Sequence, residues 1–207
     1  FEEVVAEVYA IYQQRLTSAN AMDFDDLIMK TVEVLQKYPE ARARYRHRFK
    51  HILVDEYQDT NHAQYILIRE LVGTDREGIP AAELCVVGDA DQSIYGFRGA
   101  TIRNIMQFEE DYPDATTILL EQNYRSTQNI LSAANAVIGN NFDRPNKNLW
   151  TDSGDGDKIV GYTGYSAHDE AQFIADEIGD LHRAGTNYRD IAVFYRTNAQ
   201  TRALEEI

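Results

Sequence analysis

Ile52-Leu53-Val54-Asp55-Glu56-Tyr57-Gln58-Asp59 joins a short apolar run to a cluster of acids and amides. A continuous apolar run of this kind marks a strand buried on both faces of a parallel sheet. The polar cluster then falls at the carboxyl end of that strand, where open α/β sheets place their ligands. Two later stretches repeat the pattern. Leu84-Cys85-Val86-Val87 runs into Gly88-Asp89-Ala90-Asp91-Gln92-Ser93, and Thr117-Ile118-Leu119-Leu120 runs into Glu121-Gln122-Asn123-Tyr124-Arg125-Ser126. All three tips are expected to face one crevice.

Helical patterns separate these runs. Asp23 is placed to cap a helix that turns Phe24, Leu27, Ile28, Val32 and Leu35 inward and ends before Pro39. Arg42 to Lys50 is a basic stretch. Helices are also expected around Tyr65 to Val72, through Ile102, Ile105 and Met106, and along Ile130, Leu131, Ala134, Val137 and Ile138. Gly73 to Ala82 reads as a loop. Asn140 to Asp157 reads as a polar surface connection anchored by Phe142, Leu149 and Trp150. Beyond it come an expected strand at Ile159 to Tyr162, a helix at Asp169 to Arg183 and a strand at Ile191 to Tyr195. Strand-helix-strand alternation of this kind predicts an α/β fold with parallel sheets flanked by helices.

Composition narrows the class. A hydrophobic content of 43% supports a packed core, and no apolar run is long enough to span a membrane. The single cysteine, Cys85, lies inside an apolar run and reads as a buried thiol of a reducing, cytoplasmic compartment. Taken alone, the net charge of −14 argues against nucleic acid, which usually recruits a basic surface. A binding groove lined by a few basic side chains, with the acids on outer helices, is compatible with it. Phe1, Val4, Val5, Val8, Ile11 and Tyr12 fall at helical spacing without a preceding cap, and Ala203 to Ile207 reads as an interrupted helix. The sequence is therefore expected to be an internal stretch of a longer protein.

The polar tips suggest phosphate chemistry. A carboxylate at a strand tip, Asp55, suits Mg²⁺ beside nucleotide phosphates. Its neighbour Glu56 suits deprotonation of an attacking water. Gln92 offers an uncharged side chain able to sense a γ-phosphate, and Arg125 a planar fork for phosphate oxygens. Read singly, these are a solvated acidic turn, a turn residue and a surface salt bridge. Ser93-Ile94-Tyr95-Gly96-Phe97-Arg98-Gly99-Ala100 combines two aromatics and an arginine between glycines. Such a loop can stack bases and touch phosphates, although composition alone favours core aromatics at glycine turns.

Taken together and in order, Val54 to Thr60, Gly88 to Ala100 and Gln122 to Thr127 resemble the second, third and fourth helicase motifs of the UvrD/PcrA/Rep family. Asp23-Phe24-Asp25-Asp26-Leu27 and Tyr195-Arg196-Thr197-Asn198-Ala199-Gln200 are similar to further stretches of that family. Each motif alone is weakly to moderately specific, whereas five in order are highly specific. The resemblance implies partial RecA-like (P-loop NTPase) motor domains. Residues 1–21 would end a helical accessory domain, 22–119 would form the second half of a first RecA-like domain, and 120–207 would open a second. It also implies ATP and Mg²⁺ as cofactors, with Asp55 and Glu56 at the metal and Glu56 acting on the water. Gln92 and Arg125 would contact the γ-phosphate, and Tyr124 would stack on adenine. Phe97 would stack on a DNA base, with Tyr95 and Arg98 beside the strand and Arg196 and Asn198 near the backbone. Phe97 replaces the tryptophan common in the family, so its π-face is smaller. The implied partners are single-stranded DNA and single/double-strand junctions. The implied activity is movement along DNA with duplex unwinding in replication or repair, as ATP closes a cleft between the RecA-like domains. A helicase-nuclease subunit and a degenerate, non-hydrolysing interaction module are the alternatives.

No Gly-x-x-x-x-Gly-Lys-Ser/Thr loop occurs in the sequence. In the family its position lies upstream of Phe1, and a second γ-phosphate arginine lies beyond Ile207. Because that loop and its lysine cradle the β- and γ-phosphates, the purified 207-residue chain is expected to hydrolyse no ATP. DNA-stimulated phosphate release above that of its Glu56→Gln variant would contradict this.

Overall fold

The computed structural model describes residues 1–74, 78–141 and 147–207. They divide into two compact units, Phe1–Glu121 with Asn135–Asn148, and Gln122–Ala134 with Leu149–Ile207.

In the first unit, α1 (Glu2–Ser18) is followed by α2 (Phe24–Lys37). Asp23 caps α2 as its sequence suggests. Its carboxylate accepts from the Asp26 N–H at 2.8 Å, and the Asp26 carboxylate accepts in return from the Asp23 N–H. This reciprocal arrangement satisfies two backbone donors that the helix itself leaves unpaired. Pro39 ends α2 and also starts α3 (Pro39–Arg48), so the basic stretch is itself helical. Proline suits a first helical turn, where its missing N–H is not needed. Arg46 of α3 is buried, and its Nε donates to the Glu70 carbonyl of α4 (His62–Val72) at 2.8 Å.

Strands β1 (His51–Val54) and β2 (Glu83–Val86) pair in parallel, with His51 opposite Glu83 and Val54 opposite Val86. Ile52, Val54, Leu84 and Val86 point to one face. There they meet Tyr57, Ile68 and Val72, together with Ile105 of α5 (Arg103–Met106) and Phe108 of α6 (Phe108–Asp111). Tyr57 is the centre of this core at 0% exposure, with the Phe108 ring edge-on at 5.7 Å between centroids.

Burial on both faces of the sheet is not what forms. Successive strand side chains point to opposite faces, and the helices cover only one of them. Leu53 is therefore 77% exposed, and Cys85 is exposed rather than buried. The expected strands at Thr117–Leu120, Ile159–Tyr162 and Ile191–Tyr195 also do not form. An apolar run becomes a strand only through ladder bonds to a neighbour. Among the described residues these three runs have no ladder partner, and Ile118, Leu120, Val160 and Phe194 are exposed. The expected set of parallel sheets reduces, among the described residues, to one two-stranded sheet.

The second unit is helical and loop-rich. It holds most of α7 (Gln128–Ile138), then α8 (Ala167–Arg183) and α9 (Thr201–Glu205). Ser166 caps α8 by accepting from the Asp169 N–H, and the Tyr162 ring stacks on Phe173 of that helix at 4.1 Å. The polar connection expected from Asn140 to Asp157 bears Trp150 part-exposed, while its anchor Phe142 lies outside the described residues. No helix among the described residues is long and apolar enough to cross a membrane.

Candidate nucleotide and DNA site

The two strand tips are tied together by backbone first. The Val87 N–H donates to the Val54 carbonyl at 2.8 Å, and the Tyr57 N–H donates back to the Val87 carbonyl at 2.9 Å. The ladder thus continues past the strands and lays Asp55-Glu56-Tyr57 beside Gly88-Asp89. Asp55 and Glu56 are both exposed at this edge. Asp55 Oδ1 accepts from the Glu56 N–H at 2.9 Å. Glu56 holds the left-handed conformation, φ 48° and ψ 45°, and a short 3₁₀ turn, Tyr57–Asp59, follows it. A residue other than glycine occupies that region at a cost of roughly 1–3 kcal/mol, and such strain clusters at functional sites. Here it reverses the chain so that Tyr57 enters the core while the Glu56 carboxylate stays outside.

Gln58 joins the two tips through its side chain. It is 1% exposed. Its Nε2 donates to Glu56 Oε2 at 2.8 Å and lies 3.4 Å from Asp59 Oδ2. Its Oε1 accepts from the Asp89 N–H at 2.9 Å. The Asp89 carboxylate accepts from Gln92 Nε2 at 2.9 Å and from the Asp91 N–H at 3.0 Å, and it pairs with Lys147. Lys147 also lies 3.3 Å from Asp91. Burial pushes the Asp89 carboxyl upward, but the hydrogen bonds from Lys147, Gln92 and the Asp91 N–H outweigh it and hold the group below the usual carboxylate range. Asp55, Glu56 and Gln92 are thus brought to one edge of the sheet. Gln58 and Asp89, which the sequence did not single out, hold them there. The only signal for Gln58 was a polar residue within a strand-tip cluster, indistinguishable from its neighbours.

The loop after Gln92 presents its aromatics outward. Phe97 is 77% exposed, so it is not the core residue that composition alone favoured. The Arg98 guanidinium carbon lies 5.2 Å from the Tyr95 ring centroid and 5.4 Å from that of Phe97. These contacts leave a cation beside two π-faces. The loop is anchored at its far end. The Thr101 N–H donates to the Thr60 carbonyl, Asn61 and Ala100 form a bridge, and the buried Asn104 side chain donates to both the carbonyl and hydroxyl of Thr60.

The second unit presents its own polar turn. Asn123 Oδ1 accepts from the N–H groups of Arg125 and Ser126 at 2.9 and 2.8 Å. Backbone pairing of Asn123 with Trp150 anchors this turn. Tyr124 is 83% exposed, and its hydroxyl donates to Gln122 Oε1. Arg125 is exposed and makes no ion pair among the described residues, unlike the surface salt bridge that a lone arginine suggests. Arg196 and Asn198 are exposed at a turn where Gln200 Oε1 accepts from the Arg196 and Thr197 N–H groups.

Comparison with known proteins identifies the family of the chain. The UvrD/REP helicase N-terminal domain matches residues 1–113, and the UvrD-like helicase C-terminal domain matches residues 118–207. The chain belongs to the UvrD/REP helicase family. It is 66% identical, over 98% of its length, to the ATP-dependent DNA helicase UvrD1 of Mycobacterium tuberculosis (strain ATCC 25618 / H37Rv). It is 53% identical, over all of its length, to the ATP-dependent DNA helicase PcrA of Leuconostoc citreum. It spans 27% of the length of each of these relatives.

The packing at the strand tips makes Gly88 the sensitive backbone position. A Cβ there would stand 2.6 Å from Gln58 Oε1, 2.9 Å from Ile105 Cδ1 and 3.1 Å from the Tyr57 nitrogen. Gly88→Ala is therefore expected to destabilise the fold by about 1–3 kcal/mol, the usual cost of overpacking. Unchanged thermal and denaturant midpoints would show that the two tips are not held this tightly.

Proposed function

We propose that this chain is part of an ATP-driven motor that moves along single-stranded DNA and opens duplex at single/double-strand junctions. The observation that carries the reading is the shared sheet edge of Asp55, Glu56 and Gln92, with the exposed Phe97 loop directly following it in sequence. Membership of the helicase family and the names of its close relatives support it. On the same reading, residues 1–21 end a helical accessory domain, 22–119 belong to a first RecA-like domain and 120–207 open a second, in a cytoplasmic protein.

Each residue has a chemical task. Asp55 is exposed and has one carboxylate oxygen turned to its own loop. No cluster of three or more acidic, histidine or cysteine side chains that suits a metal ion occurs among the described residues. The two adjacent exposed carboxylates, Asp55 and Glu56, are a donor set that fits Mg²⁺, which characteristically takes one or two carboxylates and completes its shell with waters and substrate phosphates. Asp55 and Glu56 are the residues that would hold it, and its chemistry when bound is neutralisation of phosphate charge. Glu56 takes a proton from the attacking water. Gln92, oriented by Asp89, hydrogen-bonds the γ-phosphate or that water. Arg125 contributes a cation to the γ-phosphate, and Tyr124 offers its ring to adenine. Phe97 stacks on a base, with Tyr95 and Arg98 alongside. Arg196 and Asn198 contact the DNA backbone. Unwinding then follows from coupling ATP turnover to alternate gripping of the strand.

The exposed Phe97 makes this testable in the full-length protein. Phe97→Ala is expected to lose about 1–3 kcal/mol of single-strand affinity and to uncouple ATP use from movement, while basal hydrolysis and thermal stability stay. Phe97→Trp is expected to match or exceed the parent, because it enlarges the π-face. Filter-binding or anisotropy titration with oligodeoxythymidine reads the affinity. Normal binding by Phe97→Ala would remove the stacking role.

A further inference from the structure

We infer that Gln58 is a positioning residue for the hydrolytic step, fixing the Glu56 carboxylate and linking it to the loop that carries Gln92. The inference rests on the assignment of Glu56 as the base. It begins from burial. A fully buried carboxamide must satisfy its hydrogen-bonding groups or cost stability. Gln58 is 1% exposed, yet it spends its donors on acids at the site's edge rather than on the core. One amide hydrogen bond reaches Glu56 Oε2 at 2.8 Å. The carbonyl end accepts from the Asp89 N–H at 2.9 Å. Asp89 in turn holds Gln92 Nε2 at 2.9 Å. One continuous path therefore runs from the Glu56 carboxylate through Gln58 and Asp89 to Gln92.

The surroundings leave the carboxamide little freedom. Gly88 gives it room, because a Cβ there would come within 2.6 Å of Gln58 Oε1. Tyr57 beside it is wholly buried, and the 3₁₀ turn Tyr57–Asp59 fixes its backbone. Glu56 itself is exposed and sits in a left-handed conformation, and its long side chain accepts from Gln58 Nε2 at 2.8 Å. This hydrogen bond gives the side chain its direction. A base must lie within hydrogen-bond reach of the proton it takes, and a misplacement of about 1 Å costs roughly 10²-fold in rate. The link to Gln92 has a second consequence. A shift of Gln92 on meeting a γ-phosphate is transmitted to the base through Asp89, whose carboxylate holds Gln92 and whose backbone N–H donates to Gln58, and then through the Gln58 carboxamide.

The test uses the full-length helicase that carries this segment. Gln58→Met keeps length and flexibility but removes the hydrogen bonds to Glu56, Asp59 and the Asp89 N–H. It is expected to lower DNA-stimulated kcat by about 10²-fold while leaving KM for ATP unchanged. In a Glu56→Gln background, where no base remains to be positioned, single-turnover measurement should show no further loss. A merely structural role would instead give losses that multiply. Gln58→Glu keeps the acceptor towards the Asp89 N–H and loses the donor to Glu56, so it should also lower kcat at constant KM. It decides the matter if Gln58→Met does not fold. Normal kcat in either folded variant, or multiplying losses with Glu56→Gln, overturns the positioning role. Failure of both variants to fold reduces Gln58 to a core residue and overturns it as well. Normal turnover by Glu56→Gln alone overturns the assignment of the base, and this inference with it.

Discussion

The parallel pairing of His51–Val54 with Glu83–Val86, prolonged by the bonds between Val54, Val87 and Tyr57, is the constraint on which the site depends. Parallel strands end on the same side of a sheet, so pairing alone delivers both polar tips to one edge. The alternation of side chains then divides the tasks. Ile52, Val54, Leu84 and Val86 bind the sheet to Tyr57, Ile68 and Val72, while the residues beyond Val54 and Val87 leave the core. Tyr57 is the pivot. It fills the core immediately after Glu56 has turned the chain through a left-handed step. An acid therefore stands in solvent one residue from a fully buried ring.

Much of this was legible in the sequence, for identifiable reasons. Asp23, the helix after it and the two paired strands are encoded locally, by a capping carboxylate and by short apolar runs between helices. The runs at Thr117–Leu120, Ile159–Tyr162 and Ile191–Tyr195 carry the same apolar signal yet form no strand here. A strand's backbone bonds come from a neighbour, and periodicity cannot name the neighbour. The same limit explains Leu53 and Cys85. The run Ile-Leu-Val looks alike whether one or both faces are covered. Gln58 was hidden for another reason. Its role depends on Asp89, thirty-one positions away, and no local pattern records that contact. Phe97 was misread by composition because aromatics are usually core, whereas the anchored loop from Tyr95 to Thr101 holds it outside.

The acidic charge of the chain and the proposed role on DNA are reconciled by where the groups lie. The exposed loop offers Arg98 among two rings, and Arg196 stands at another exposed turn. Runs of acid lie on helices, such as Glu109, Glu110 and Asp111 of α6 and Asp169 and Glu170 of α8. Binding that relies on stacking and few cations releases few counterions, so its salt dependence is shallow. Sequence specificity is not expected of such a surface, because every base has a π-face.

The central claim is that the strand-tip acids are a hydrolytic centre rather than a solvated turn. The most direct measurement is ATP binding and turnover by Glu56→Gln in the full-length protein, with single-stranded DNA present. The amide keeps the shape and removes the base, so kcat should fall by about 10²–10⁴-fold. ATP affinity, read by equilibrium titration, should stay close to that of the parent. A Glu56→Gln enzyme that binds ATP and turns it over at a near-normal rate would contradict the account.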